Sequence, residues 1–327
     1  MNFRKDINGL RAVAVLAVVI FHFYPSLLTG GFAGVDVFFV ISGFLMTGII
    51  FKGLDNNNFS ILNFYIARAN RIIPALAILC LTLLIFGYFF TIPWDYKTIG
   101  RDVATSMLFI SNFMFSIRGG YFESTDNFLL HTWSLSVEWQ FYIIYPAFLV
   151  LINKYFSIKN IKNIILLLFL FSFILSIFAT QNWPKESYFL LPPIAWELLL
   201  GGIAYLYPIK LNNKKIYKND RALELTGVFL IILSYFIFSK NTAWPGYLAF
   251  IPTIGAWLII QAQRKNSYIT GNVLFQKLGL WSYSIYLWHW PIAVSYSYFG
   301  INEKYKIIGV LLSILLGYLS FILIEKR

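Results

Sequence analysis

Long apolar stretches alternate with short polar segments along the whole chain of 327 residues. A helix needs about 20 mostly apolar residues to cross the hydrocarbon of a bilayer. The pattern therefore predicts an all-α polytopic membrane protein with about ten transmembrane helices, organised as a single domain over residues 1–327. The predicted spans are Gly9–Leu27, Gly34–Phe51, Ile72–Ile92, Trp133–Ile152, Ile164–Thr180, Pro192–Tyr207, Ala222–Phe238, Gly246–Gln261, Leu278–Phe299 and Ile307–Ile324.

An eleventh apolar stretch, Val103–Ile117, is shorter and begins directly after Arg101 and Asp102. Basic residues decide how it is interpreted, because cytoplasmic loops carry an excess of Lys and Arg. If this stretch does not cross, most basic residues share one face. We therefore expect ten spans, both termini in the cytoplasm, and a re-entrant or interfacial helix at Val103–Ile117. The expected cytoplasmic residues are Arg4, Lys5, Lys52, Arg68, Arg71, Lys154, Lys159, Lys162, Lys210, Lys214, Lys215, Lys218, Arg221, Arg264, Lys265, Lys277, Lys326 and Arg327.

The composition agrees with a membrane protein. Hydrophobic residues make up 59% of the chain and charged residues only 12%, against about 25% charged residues in a soluble domain. The net charge of +12 is explained by topology, since the basic residues lie in short clusters between apolar stretches, and nucleic acid is not expected as a partner. The single cysteine, Cys80, excludes an intramolecular disulfide, and no histidine or cysteine spacing predicts a metal site.

A few ionisable residues interrupt the apolar stretches. Glu138 lies within the predicted span Trp133–Ile152, where a carboxylate is costly unless it faces the protein interior or a wet cavity. The expected topology places His22 at the outer end of the first span, Asp36 at the outer end of the second, and His131 at the mouth of the span that carries Glu138. The pattern thus predicts a polar site in the outer half of the bundle.

Each of these residues also has a purely structural interpretation. His22 can hydrogen-bond a neighbouring helix, Asp36 can complement the dipole of the helix it begins, and Glu138 can pair with Arg11 or Arg101. His289, among the aromatic residues of another span, is equally compatible with packing and with lining a site. Only their joint occurrence at one depth favours a functional site.

Arg68 and Arg71 follow an amphipathic segment that we expect to lie as a helix on the cytoplasmic interface. Side chains three positions apart share a helix face, and two guanidinium groups on one face suit a phosphate-bearing ligand. Lipid headgroups and a simple topology anchor are the alternatives.

Six segments of the chain resemble motifs of the acyltransferase-3 family, which comprises bacterial membrane O-acyltransferases of cell-surface glycans. They include an Arg-x-x-Arg element and a central Trp-Ser-Leu-x-x-Glu element, and they occur in the order typical of the family. The segments are Arg4–Val15, Val19–His22, Gly30–Leu45, Phe64–Pro74, His131–Tyr142 and Gly279–Pro291.

The resemblance implies acyl-CoA, with acetyl-CoA as the common form, as the donor on the cytoplasmic side. It implies a carbohydrate hydroxyl outside as the acceptor, in lipopolysaccharide O-antigen, capsule, peptidoglycan or a lipid-linked glycan. The expected location is the bacterial cytoplasmic (inner) membrane. The late segments resemble members that continue into an SGNH hydrolase-like domain, but this chain lacks the Gly-Asp-Ser block of such a domain.

The resemblance also suggests roles for individual residues. We expect His22 to be the general base, oriented by either Asp36 or Glu138, with an acyl-His22 intermediate as the second route. Arg68 and Arg71 are expected to bind the phosphates of coenzyme A. Arg11 is expected to line the donor channel, and the residues expected to contact the substrate are His131, Trp133, Ser134, Tyr142 and His289.

The competing function is a transporter or flippase of a glycan or acyl intermediate, because proton-coupled transport also uses ionisable residues inside the membrane. Transporters often contain inverted repeats around a midplane site. The chain shows no internal repeat, and the expected site lies toward the outer face. A scaffold protein of an envelope complex is the third class, and it does not require an ionisable core.

Overall fold

The computed structural model describes residues 3–122, 127–209, 216–264 and 267–326, without the side chains of 216–219. Over these residues the protein consists of α-helices joined by turns and short loops. The helices are α1 Lys5–Phe23, α2 Gly34–Asp55, α3 Ile61–Phe90, α4 Pro93–Met107, α5 Ser111–Arg118, α6 Thr132–Asn153, α7 Ile158–Asn182, α8 Pro184–Phe189, α9 Leu191–Leu206, α10 Ile216–Ile237, α11 Phe250–Ala262, α12 Val273–Tyr298 and α13 Lys306–Ser320.

Seven helical segments within the described residues are long and apolar enough to cross a membrane. In lipid, a helix satisfies every backbone hydrogen bond within its own segment, so the all-α membrane class is confirmed. Each of the ten predicted spans overlaps a helix, but α10, α11 and α12 fall outside the seven, and the total of ten stays a prediction. The seven segments are Lys5–Phe23, Gly31–Asp55, Ile61–Phe90, Thr132–Asn153, Ile158–Asn182, Pro184–Leu206 and Glu303–Glu325.

Two predicted elements have different boundaries in the structure. The expected interfacial helix before Arg71 is not separate, because α3 runs without interruption from Ile61 to Phe90. The stretch Val103–Ile117 is divided between α4 and α5, with Phe109 in the left-handed backbone region at φ 56°. The 15 residues of α4 rise about 22 Å, which is less than the hydrocarbon thickness of about 30 Å.

Part of the expected cytoplasmic basic cluster is not described. Lys210, Lys214, Lys215, Lys265 and Arg327 lie outside the described residues, as does the side chain of Lys218. The positive-inside argument for this region therefore rests on the sequence.

Helix α1 packs along α12, and glycine makes the close approach possible. A Cβ atom on Gly279 of α12 would lie 1.9 Å from the carbonyl oxygen of Asn8 on α1. Further along the pair, Arg11 Nε donates to Ser282 Oγ over 3.0 Å, and His22 meets His289. Residue numbers rise together along both helices, so α1 and α12 run parallel.

Helices α2 and α9 pack in a similar manner. A Cβ atom on Gly43 would lie 1.7 Å from the carbonyl oxygen of Leu198, and one on Gly201 would lie 1.9 Å from that of Val40. Because only glycine fits at such distances, these contacts fix α2 between α1 and α9. The same arrangement places Asp36 on α2 next to Glu197 on α9.

Candidate active site

All three histidines of the chain meet at one place in the fold. His22 at the end of α1 approaches His289 of α12, with 3.1 Å between Nδ1 of His22 and Nε2 of His289. His131, directly before α6, has its ring centre 6.0 Å from that of His289. The cluster is buried, since His131 and His289 are at most 1% exposed.

The other ring nitrogen of His22 contacts a tyrosine that the sequence did not single out. Nε2 of His22 lies 2.9 Å from the hydroxyl oxygen of Tyr121, in the segment between α5 and α6. The Tyr121 ring also stacks on Tyr188, with 4.7 Å between the ring centres. No motif in the sequence marks Tyr121, because its role arises from a contact across 99 residues.

His131 occupies an unusual position for a buried imidazole. Its ring lies beside the Leu287 carbonyl, but neither ring nitrogen has a hydrogen-bond partner of normal geometry within the described residues. Pro291 in α12 has no N–H to bond the carbonyl four residues earlier, which is that of Leu287. Unpaired buried polar atoms are rare in folded proteins, so this imidazole is a candidate site residue.

A cavity of about 820 Å³ lies at the opposite end of α1 from His22, and we call it the arginine cavity. It is lined by Arg11, Arg68 and Arg71, and none of these three forms an ion pair within the described residues. The buried Nε of Arg68 also lacks a hydrogen-bond partner there. Three guanidinium groups and one carboxylate, that of Glu138, line this cavity, and the excess of positive charge favours an anionic ligand.

Glu138 lines the arginine cavity rather than the histidine cluster. Its carboxylate accepts hydrogen bonds from Ser42 and Tyr142. Glu138 and Tyr142 are four positions apart on α6, so their side chains share a helix face. The expectation that Glu138 orients the His22 ring is therefore wrong, because the structure places this carboxylate in the other cavity.

A second cavity of about 1060 Å³ shares Arg11 and Arg71 with the arginine cavity. Arg4 and Glu325 line it as well, so it lies beside both ends of the chain. The two cavities therefore adjoin at these shared guanidinium groups, and we call the second one the mouth of the arginine cavity.

A separate pocket of about 1120 Å³, which we call the histidine pocket, opens around His22. Tyr121 and Trp290 form aromatic walls, and Lys240 and Asn241 contribute polar groups at the rim. Aromatic faces combined with a few polar groups suit a sugar ring, which presents both apolar C–H faces and hydroxyl groups.

Asp36 does not contact the histidine cluster either. It accepts a hydrogen bond of 3.2 Å from Trp244 Nε1 in a small pocket of about 240 Å³ that Glu197 and Trp133 also line. The expectation that Asp36 orients the His22 ring is therefore wrong, because the packing of α2 on α9 turns Asp36 toward Glu197. The residue that contacts Nδ1 of His22 is His289.

A hydrogen-bonded layer separates the arginine cavity from the histidine cluster. Ser134 Oγ and the Tyr286 hydroxyl, both lining the cavity, are 2.7 Å apart, and the Tyr286 hydroxyl also donates to the His131 carbonyl over 2.9 Å. The Tyr286 carbonyl lies 2.5 Å from Nδ1 of His289. Tyr286 therefore contacts both the arginine cavity and the histidine cluster.

A buried ion pair fixes the segment that carries Tyr121. Asp102 of α4 accepts a hydrogen bond of 2.6 Å from Arg118 and one of 2.8 Å from Asn127, and these two donors flank Tyr121 in sequence. Burial raises the pKa of the Asp102 carboxyl, and the hydrogen bond and charge of Arg118 act in the opposite direction.

The three histidines lie closer together than their spacing in the sequence suggested. Within the described residues, no group of three or more His, Cys, Asp or Glu side chains has an arrangement suited to a metal ion.

The family model described as "Acyltransferase domain" matches residues 4–325, nearly the whole chain. The chain belongs to the acyltransferase-3 family. The resemblance of the Arg-x-x-Arg and Trp-Ser-Leu-x-x-Glu elements to this family is thereby confirmed.

Several curated proteins are similar to the chain. Peptidoglycan O-acetyltransferase OatA of Listeria monocytogenes is 31% identical, in an alignment that covers 89% of this chain and 49% of OatA. A Staphylococcus aureus protein provisionally named as an O-acetyltransferase is 33% identical, with 99% and 57% covered. YrhL of Bacillus subtilis, provisionally named as a peptidoglycan O-acetyltransferase, is 30% identical, with 99% and 55% covered.

The chain spans about half the length of these relatives. No solved structure matches the chain at a significant level.

Proposed function

We propose that the protein is a membrane O-acyltransferase that moves an acetyl group from acetyl-CoA to a hydroxyl of a cell-envelope glycan. Two of the similar proteins carry peptidoglycan O-acetylation in their names, which makes peptidoglycan the first candidate acceptor. The observation that carries the proposal is the separation of two chemically distinct compartments. An arginine cavity lies at one end of α1 and a histidine pocket at the other.

The arginine cavity suits the donor. Coenzyme A carries several phosphate groups, and Arg11, Arg68 and Arg71 offer guanidinium groups without ion-pair partners in the described residues. Arg11 and His22 are eleven residues apart on α1, which is about 16 Å of helix rise. The extended pantetheine arm of coenzyme A spans a distance of the same order, so phosphates held by the arginines leave the thioester near the histidines.

The histidine pocket suits the acceptor. His22 lies at its inner wall, and Tyr121, Phe122 and Trp290 provide surfaces on which a sugar ring can stack. A sugar hydroxyl is a weak nucleophile at neutral pH, and a general base within hydrogen-bond reach contributes about 100- to 10,000-fold to the rate. We assign the base to His22.

In the proposed reaction, His22 takes the proton of the acceptor hydroxyl as its oxygen attacks the thioester carbonyl. A C–O bond forms, the C–S bond breaks, and the leaving thiolate takes the proton back from the His22 imidazolium. The acyl group has to pass the layer formed by Ser134 and Tyr286 before this step. That layer shields the thioester from the outer pocket until the acceptor is in place.

The proposal includes an orientation in the membrane. Both termini and the mouth of the arginine cavity face the cytoplasm, where coenzyme A is found, and the histidine pocket faces outward. The excess of basic residues on the side of the termini supports this orientation.

Mass spectrometry of purified surface polysaccharide tests the function. We expect a strain with the wild-type protein to carry an O-acetyl mass on the glycan, and a strain with His22→Ala to lose that mass while the glycan stays intact. Tyr268→Ala is the control, because Tyr268 is 93% exposed and lies at the other side of the protein. Unchanged acetylation in the His22→Ala strain overturns the proposal, and absence of the glycan itself from the surface indicates the flippase instead.

A further inference from the structure

The contact between His22 and His289 contains information about where their protons lie. His289 Nδ1 is 2.5 Å from the Tyr286 carbonyl oxygen. A carbonyl oxygen can only accept a hydrogen bond, so Nδ1 of His289 must carry the hydrogen. A neutral imidazole has one N–H and one lone pair. Nε2 of His289 is consequently an acceptor.

The same reasoning extends to His22. Its Nδ1 lies 3.1 Å from Nε2 of His289, and an acceptor requires a donor, so Nδ1 of His22 carries the hydrogen. Nε2 of His22 is then the atom with the lone pair. The Tyr121 hydroxyl, 2.9 Å away, donates to that lone pair. Free histidine favours the opposite tautomer, with the hydrogen on Nε2.

We infer that His289 is a positioning residue that sets the tautomer of His22 and leaves Nε2 as its basic atom. Nε2 is also the atom that faces Tyr121 in the histidine pocket, where the acceptor hydroxyl is proposed to bind. The inference deepens the proposed function, and it rests on that function for the assignment of His22 as the general base.

The partner of His22 is thus a neutral imidazole, where the sequence predicted a carboxylate. When Nε2 of His22 takes the acceptor proton, the ring becomes an imidazolium with two N–H groups. Its Nδ1–H donates to His289 as a charge-assisted hydrogen bond, which is stronger than the neutral one. The proton then leaves from Nε2 to the thiolate, and the pair returns to its starting state with His289 unchanged.

The hydrogen bond from His289 Nδ1 to the Tyr286 carbonyl is local, because both residues belong to one turn of α12. Residues 286 and 289 lie three positions apart on α12, so the helix itself delivers the Tyr286 carbonyl to Nδ1 of His289. The Tyr286 side chain lines the arginine cavity, so this residue connects the His22–His289 pair to that cavity.

Nitrogen NMR of histidine rings tests the tautomer directly. The full chain contains three histidines, so ¹⁵N-histidine labelling in lipid vesicles gives three ring spectra, and the spectrum missing from a His22→Gln sample identifies His22. At mildly alkaline pH we expect Nδ1 of His22 to be protonated and Nε2 to be unprotonated. A His22 ring with its hydrogen on Nε2 overturns the inference, whatever the protein catalyses.

Two variants of His289 test its effect on the reaction. His289→Gln places an amide oxygen near the position of Nε2 and keeps an acceptor for His22, whereas His289→Leu removes the acceptor. We expect kcat for acetyl transfer to fall about 100-fold or more in His289→Leu and to stay within about tenfold of wild type in His289→Gln, with the donor KM unchanged in both. Equal losses in the two variants, or losses confined to KM, contradict a positioning role.

The NMR test and the kinetic tests examine different claims, so each can fail without the other. Absence of acetyl transfer by the wild-type protein with any glycan refutes the proposed function, while the His22 tautomer is still decided by NMR. If His289→Leu does not fold, His289→Gln remains, and an inactive His289→Gln protein with a wild-type His22 spectrum refutes the positioning role.

Discussion

The hydroxyl of Tyr121 occupies the place that the proposal gives to the acceptor hydroxyl. It lies within hydrogen-bond distance of Nε2 of His22, so an incoming sugar has to displace it before His22 can act on the sugar. Tyr121 is therefore a competitor for the base in the resting protein.

Removal of the Tyr121 hydroxyl is expected to strengthen binding of the acceptor. Tyr121→Phe keeps the ring that stacks on Tyr188 and removes one hydrogen bond, worth about 0.5–1.5 kcal/mol. We expect the acceptor KM to fall about two- to tenfold with kcat within about threefold of wild type, measured with labelled acetyl-CoA over a range of glycan concentrations. A kcat loss above about 100-fold shows instead that the Tyr121 hydroxyl takes part in the chemistry.

Glu138 shows which properties of a single residue the sequence predicts and which it does not. The cost of a carboxylate in hydrocarbon marks Glu138 as a residue inside a polar environment, and the structure confirms such an environment in the arginine cavity. Which cavity receives it depends on how α6 is turned against α2. Ser42 of α2 donates to Glu138, and no local pattern predicts that contact.

Among the helices, α3 is the one that presents the arginine pair. Arg68 and Arg71 are three positions apart and both line the arginine cavity, as the periodicity predicts. The continuous course of α3 makes the pair part of a long bundle helix, with Arg68 half-buried and Arg71 exposed, where the sequence suggested a helix lying flat on the interface.

Loss of either arginine is expected to weaken donor binding. A hydrogen bond to a charged group contributes about 1.5–3 kcal/mol, which corresponds to about 10- to 100-fold in affinity. We expect Arg68→Ala and Arg71→Ala to raise the KM for acetyl-CoA by that factor, with a smaller change in kcat. Lys159→Ala is the control, because Lys159 is an exposed basic residue on α7. Unchanged donor KM in both arginine variants refutes the donor assignment.

The ion pair on α4 offers a matched comparison between buried and exposed charges. Asp102 and Glu303 each accept from a basic side chain over 2.6 Å, but Asp102 is 2% exposed and Glu303 is 86% exposed. Breaking a buried pair costs about 3–5 kcal/mol, whereas an exposed pair contributes little to stability because water screens it.

We therefore expect Asp102→Ala to lower the midpoint of thermal unfolding clearly, and Glu303→Ala to leave it close to wild type. Both are measured on the purified protein in the same detergent. Since Arg118 and Asn127 flank Tyr121, acceptor KM is expected to change in Asp102→Ala and donor KM to stay constant. Similar midpoints for the two variants contradict a structural role of the buried pair.

At the scale of the whole molecule, the proposed reaction requires the two compartments to face opposite sides of the membrane. Lys240 lines the histidine pocket, and Tyr268 lies beyond α11 in the chain. The ten-span topology places Lys240 outside and Tyr268 in the cytoplasm.

Cysteine labelling checks this orientation. In a Cys80→Ser background, which removes the native thiol, a membrane-impermeant maleimide is expected to label Lys240→Cys in intact cells and to label Tyr268→Cys only after permeabilisation. Labelling of both positions in intact cells means that α11 does not cross the membrane. The reverse pattern inverts the orientation and places the arginine cavity away from coenzyme A.

The sequence by itself determined the class of the protein and singled out the ionisable residues inside its apolar stretches. Apolar length alone selects spanning helices, because lipid leaves the backbone no other hydrogen-bond partners. The cost of ionisable groups in hydrocarbon singles out His22, Asp36 and Glu138 for the same reason. Neither apolar length nor the cost of buried charge predicts how one helix is rotated against another.

Only the tertiary structure decided which of these residues lie together. Glycine contacts such as Gly279 with Asn8 set α1 parallel to α12, and that packing brings His22 to His289 across 267 positions. The packing of α2 on α9 takes Asp36 away from the same site. Side-chain partners across a helix bundle depend on helix rotation and register, which are settled by packing of the whole core rather than by any local stretch of sequence.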